Sequence, residues 1–172
     1  MITVNSPFAQ LYVALQQYIK TEVPGIRHID LELGQLDYYH TRPAVSFPCL
    51  FIDFPNTGYE GEGDNVQWAD ITIVMRLGLD PFSSASSITP DASIEKSLGF
   101  FELENQLVAA LQGYAPEYNE EEICQPLIRI SAGTEVRQDP FRVRKLTFTT
   151  GGEDVVAQPQ TTKVSARLNI TT

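Results

Sequence analysis

The stretch VQWADITIVMRLGL, residues 66–79, decides the fold class. Ile71, Ile73, Met75, Leu77 and Leu79 recur at every second position, with Thr72, Val74 and Arg76 between them. Period-two alternation puts each row on one face of a β-strand, and the apolar row needs a core to cover it. Val66 and Trp68 have the opposite parity. A bulge near Ala69 and Asp70 would shift the phase by one residue and bring both runs onto one face.

Upstream, residues 55–65 read PNTGYEGEGDN, whose glycines and carboxylates predict an exposed hairpin connection. Before it, 47–54 is apolar almost throughout and predicts a strand covered on both faces, despite Pro48. Residues 34–43 are polar and aromatic and read as a loop, while Ile29, Leu31 and Leu33 alternate with Asp30 and Glu32 as in a half-buried strand. The chain opens with a helix. Ser6 suits the N-cap and Pro7 the first helical position, and Phe8, Leu11, Tyr12, Leu15 and Ile19 form one stripe. Pro24 and Gly25 end it.

Downstream, 80–90 is a Ser- and Pro-rich loop. Asp91 or Ser93 would cap a second helix with the stripe Ile94, Leu98, Phe101, Leu107, Val108 and Leu111, stopped by Gly113. Gly99 inside it costs about 1 kcal/mol relative to Ala and points to close packing. Glu104 interrupts the stripe and marks a helix edge. Residues 114–122 form an acidic loop. Strands are predicted over 123–130, 141–149 and 163–171, with 151–160 as a polar connection. The order is helix, two or three strands, helix, three strands. That order predicts a single α+β domain over 1–172, with a mainly antiparallel sheet and two principal helices packed on one face.

Composition narrows the function classes. With 42% hydrophobic residues a sizeable core can be buried. Twelve Lys and Arg against 22 Asp and Glu give a formal charge of −10. Duplex DNA and RNA are held largely by basic residues that displace phosphate counterions, so no specific nucleic-acid partner is expected. An acidic surface keeps a protein soluble and repels a polyanion that must pass without sticking. Cys49 and Cys124 sit in apolar runs and read as buried free thiols, with one disulfide between them left open. No apolar run reaches membrane-spanning length and 1–5 lacks a basic, hydrophobic leader, so folding in a cytoplasm, with no membrane partner, is expected.

Catalytic and metal-binding motifs do not emerge. Only His28 and His40 are present, neither with a Cys, His or carboxylate at metal-ligand spacing. Gly58, Gly61 and Gly63 are interleaved with Glu60, Glu62 and Asp64, whose carboxylates would repel a phosphate. Nor do Glu60, Glu62, Asp64 and Asn65 match the spacing of a calcium loop. No enzyme, metal or cofactor is therefore expected. The candidate partner contacts are Tyr38, Tyr39, His40, Tyr59, Glu60, Glu62 and Asp64, an aromatic and acidic set in the two polar loops. A binding module for protein or carbohydrate would use the same loops, and a hydrolase with a carboxylate pair is a third reading.

Taken in order, the N-terminal amphipathic helix, the strand containing Pro48-Cys49-Leu50-Phe51-Ile52, the long strand 66–79 and the helix ending Leu107-Val108-Ala109-Ala110-Leu111-Gln112-Gly113 resemble the tail terminator, or tail-completion, proteins of tailed bacteriophages and related head–tail joining proteins. The resemblance spans most of the chain and rests on topology and apolar pattern. It implies a virion protein assembled in the host cytoplasm, forming a homo-oligomeric ring that joins tail tube to neck or connector proteins. DNA would pass through the ring's channel.

Overall fold

The computed structural model of the chain describes residues 3–38, 45–63, 65–79, 86–139 and 141–157. Its elements run α1 (Pro7–Glu22), β1 (His28–Leu31), β2 (Cys49–Gly63), β3 (Val66–Leu79), α2 (Asp91–Leu111), β4 (Glu117–Tyr118), β5 (Glu121–Glu122), β6 (Ile128–Thr134) and β7 (Arg142–Asp154). Five strands form one sheet in the order β1-β2-β3-β7-β6, and β4 and β5 make a separate small ribbon. Among the described residues only β1 and β2 pair in parallel; the other pairings are antiparallel. The α+β class with its mainly antiparallel sheet is as the sequence predicts.

The alternation in β3 does what its period requires. Ala69, Ile71, Ile73, Met75, Leu77 and Leu79 are all buried on one face. Leu11, Leu15 and Ile19 of α1 and Leu103, Leu107 and Leu111 of α2 pack against this row, so both helices cover the same side of the sheet. Leu50 and Ile52 of β2 and Leu146 and Phe148 of β7 complete this core. On the opposite face Leu36, Cys49, Phe51 and Val143 form a smaller cluster. The start of β2 is thus buried on both sides, as its unbroken apolar run requires. Gly78 is needed there, because a Cβ would lie 2.6 Å from the Cys49 sulfur.

Several sequence expectations are corrected. Residues 55–63 are not a hairpin loop: β2 runs on through them, paired with β3 from Asn56↔Thr72 to Gly63↔Val66. The bulge lies in β2, between Asp53 and Asn56, not at Ala69 and Asp70, where β3 and β7 pair without interruption. Pro55 explains the site, since it cannot donate a ladder hydrogen bond and an extra residue there absorbs the gap. Val66 and Trp68 accordingly stay on the face away from the helices. Leu31 and Leu33 are exposed rather than half-buried. In α2, Leu98 and Phe101 are exposed while Leu103 is buried, so the stripe is rotated from the predicted one. Neither Asp91 nor Ser93 caps the helix; Pro90 holds the N-cap position, without a side-chain cap bond. Gly99 packs against nothing, because a Cβ there would meet open space.

Nor is Glu104 at a helix edge. It is buried, and Arg144 of β7 donates to both of its oxygens at 2.6 and 2.8 Å. The strand expected at 123–130 begins only at Ile128, and β7 continues through Gly151 and Gly152, which were assigned to a connection. Gly113 does stop α2, with φ of 83°. Residues 163–171 lie outside the described residues.

Candidate assembly surface

The outer half of the β2–β3 hairpin is the most exposed regular structure near the predicted contacts. Past the bulge, β2 turns from buried to exposed, while β7 stays paired with β3 as far as Gln67↔Asp154. Three strands therefore carry this region. Tyr59 lies opposite Ala69, on the helix-covered face, and its side is 45% exposed. Glu60 lies opposite Trp68, on the other face. Glu62 is exposed near the hairpin end, where Gly63 and Asn65 take positive φ values of 98° and 60° to turn the chain. Asp64 lies outside the described residues.

The second predicted contact region is elsewhere. A turn at residues 34–38 follows β1, closed by Asp37 and Tyr38 N–H groups donating to the Gly34 carbonyl at 3.1 and 2.9 Å. Tyr38 is 63% exposed. Leu36 anchors this turn on the face away from the helices, so Tyr38 and Tyr59 are on opposite sides of the sheet and do not form one site. Tyr39 and His40 lie outside the described residues.

What holds the turn is a charge network that the sequence reading missed. Arg76 projects from the middle of β3 on the non-helix face. It lies 3.0 Å from Glu32, 3.0 Å from Asp37 and 2.7 Å from Glu135. Arg137 donates to Asp37 at 2.7 Å, to the Leu36 carbonyl at 2.7 Å and to Asp139. Two guanidinium groups thus join the segment after β1, the centre of the sheet and the segment after β6. Hydrogen bonding from Arg76 holds the Asp37 carboxyl below the usual carboxylate range, and Arg137 does the same for Asp139. Burial would weaken the charge on Arg76, but the Glu135 and Asp37 bonds outweigh it and raise its pKa. The legible signal was an arginine inside an apolar strand, since such a charge is buried only when paired.

Sheet edges flank these features. β6 is terminal in the sheet and exposed along its whole length, with Ile128 at 55% and Ile130 at 58%. β1 is the opposite edge. Both cysteines are free, and burial pushes the Cys49 thiol up to about 12 and the Cys124 thiol up to about 11. Neither is poised as a nucleophile, because the thiolate is the reactive form. Among the described residues no group of three His, Cys, Asp or Glu could hold a metal ion, and no helix is long and apolar enough to cross a membrane.

No protein-family model and no curated protein sequence matches the chain. Its fold is similar to that of a chain in the virion of a native gene transfer agent particle. That match has a TM-score of 0.54 at 14% identity and covers 88% of this chain and 100% of the other. At that identity the likeness is one of fold.

Proposed function

We propose that the chain is a structural subunit of a phage-like virion, acting as a tail terminator or head–tail joining protein. In this reading it forms a homo-oligomeric ring on the tail tube and contacts neck or connector proteins, after assembly in the host cytoplasm. The observation that carries the proposal is the fold shared with the whole length of a virion chain. The exposed outer hairpin and the strands that end the sheet among the described residues, β1 and β6, support it. Unpaired strand edges are templates for joining another chain, and a ring uses two different surfaces head to tail. The charge of −10 suits a channel through which DNA slides, because it repels the phosphates. The function is mechanical and uses no cofactor.

Sedimentation with and without isolated tail tubes, combined with electron microscopy, tests the reading. The expected result is a ring of fixed diameter, alone or on tube ends. Glu60→Lys/Glu62→Lys should leave the fold intact and weaken assembly at least several-fold. A chain that stays monomeric in both conditions and never co-sediments is not an assembly subunit.

A further inference from the structure

Two open stretches of strand edge among the described residues differ in charge. β1 covers β2 only from Cys49 to Ile52, so residues 56–63 of β2 pair with β3 alone and are largely exposed. That stretch carries Glu60 and Glu62 and no cation. At the other end of the sheet, β6 is exposed throughout and carries Arg129. Lys145, opposite Gly133 on β7, is exposed beside it. Neither cation belongs to the ion pairs that hold Arg76, Arg137 and Arg144. The backbone of β6 is available too. The Glu135 N–H donates to the Val143 carbonyl at 3.0 Å, which makes these two residues a hydrogen-bonded pair of the ladder. Such pairs alternate with non-hydrogen-bonded ones, so Thr134 and Ala132, opposite Arg144 and Leu146, turn their N–H and C=O groups away from β7. These groups are a template for one more strand. β1 offers less: it is four residues long, and the Leu31 N–H donates to Asp30 while the Leu31 carbonyl accepts from Gln35.

We infer that β6 of one subunit pairs, antiparallel and head to tail, with residues 56–63 of β2 in a second copy. This rests on the ring reading above and names the edges that make the ring. Antiparallel pairing from β2 through β3 and β7 to β6 means that β6 runs opposite to β2. A copy rotated about the ring axis, its sheet facing the same way, therefore presents β2 antiparallel to β6. Within one subunit, Ile128 lies level with Thr149, Thr72 and Asn56. Seating β6 on the open part of β2 thus shifts the second copy along the strands by about six residues, roughly 20 Å. That shift also carries the second copy's β1 past Thr134. The four strands from β2 to β6, about 4.8 Å apart, span roughly 19 Å. The ratio tilts the strands by about 45° to the ring axis, close to the tilt of closed β-barrels. Glu60 and Glu62 then meet Arg129 and Lys145 across the junction, where opposite charges support cross-strand pairing.

Sedimentation of the full chain, with and without tail tubes, tests this on three variants. Ala132→Pro removes an N–H that points away from β7, so the fold should persist while assembly falls at least ten-fold. Arg129→Glu/Lys145→Glu and Glu60→Lys/Glu62→Lys should each lower assembly at least five-fold when alone. An equal mixture of these two should recover at least half of the loss, because each variant then meets an opposite charge on the other. Unchanged Trp68 emission and urea midpoint confirm the fold, and the mixture decides if Ala132→Pro does not fold. Suppose the unsubstituted chain assembles. Equal assembly by a folded Ala132→Pro, or a mixture no better than either variant alone, then overturns this pairing and leaves the ring reading standing. An unsubstituted chain that never assembles removes the ring reading itself, and this pairing with it.

Discussion

At the scale of single residues, Arg76 and Glu104 are two charges withdrawn from solvent, one on each face of the sheet. Each is held by a partner from a distant element, Glu135 at 2.7 Å and Arg144 at 2.6 Å. Removing one partner leaves the others unpaired in a poorly hydrated site, which costs far more than the net worth of the pair. Arg76→Met should therefore destabilise the fold by about 3 kcal/mol in urea denaturation. Adding Glu32→Gln to that variant should recover part of the loss, because one unpaired carboxylate is gone. The network also sets an acid response. Asp37 and Asp139 have lowered folded-state pKa values, so the folded state favours their ionised forms. The resulting stability is fully present above the unfolded carboxylate pKa of about 4 and is lost as pH falls through the lower folded values. Asp37→Asn should lower the urea midpoint at pH 7, and the gap to the unsubstituted protein should narrow in acid. An equal gap at both pH values would remove Asp37 from the acid response.

At the scale of elements, the outer hairpin depends on β7 as much as on β2. Trp68 and Gly151 make this dependence concrete. The indole lies against Gly151, so closely that a Cβ there would overlap the ring, and its N–H donates to Asp70 at 3.0 Å. Gly151→Ala should displace the indole while the long β3–β7 pairing persists. Overpacking of this kind costs about 1–3 kcal/mol. Trp68 is the only tryptophan, so its fluorescence emission reports the change directly. An unshifted emission with unchanged stability would show that the indole swings away without consequence. The sequence places this glycine pair in a polar connection; in the structure Gly151 makes room for the indole of the neighbouring strand. Gly152 shows the same, since a Cβ there would meet the Ile123 carbonyl at 3.0 Å.

For the molecule as a whole, the acidic balance and the two unlike sheet edges bear on what the protein can join. Arg76, Arg137 and Arg144 are paired with carboxylates, and Arg142 lies 3.8 Å from the centre of the Phe100 ring, which commits four of the 12 Lys and Arg. The remainder are outnumbered by 22 Asp and Glu, which repel a phosphate backbone. Gel-shift titration at physiological salt should show no submicromolar binding to duplex DNA. Binding tighter than that would contradict a channel that lets DNA slide.

The sequence by itself determined the α+β class, the core row of β3, the stripe of α1 and the double burial at the start of β2. Each is a periodicity or an unbroken apolar run, and burial of such a pattern leaves one way to arrange it. It also carried the acidic balance. Tertiary structure alone decided the rest. Residues 55–63 are polar and glycine-rich, yet they become strand because β3 offers them a continuous hydrogen-bonding partner. Glu104 interrupts the helix stripe, and Arg76 stands in an apolar strand, because partners tens of residues away, Arg144 and Glu135, neutralise them. Local propensity cannot report a partner that distant, and the long-range pairing of strands and charges is what turned those segments into structure.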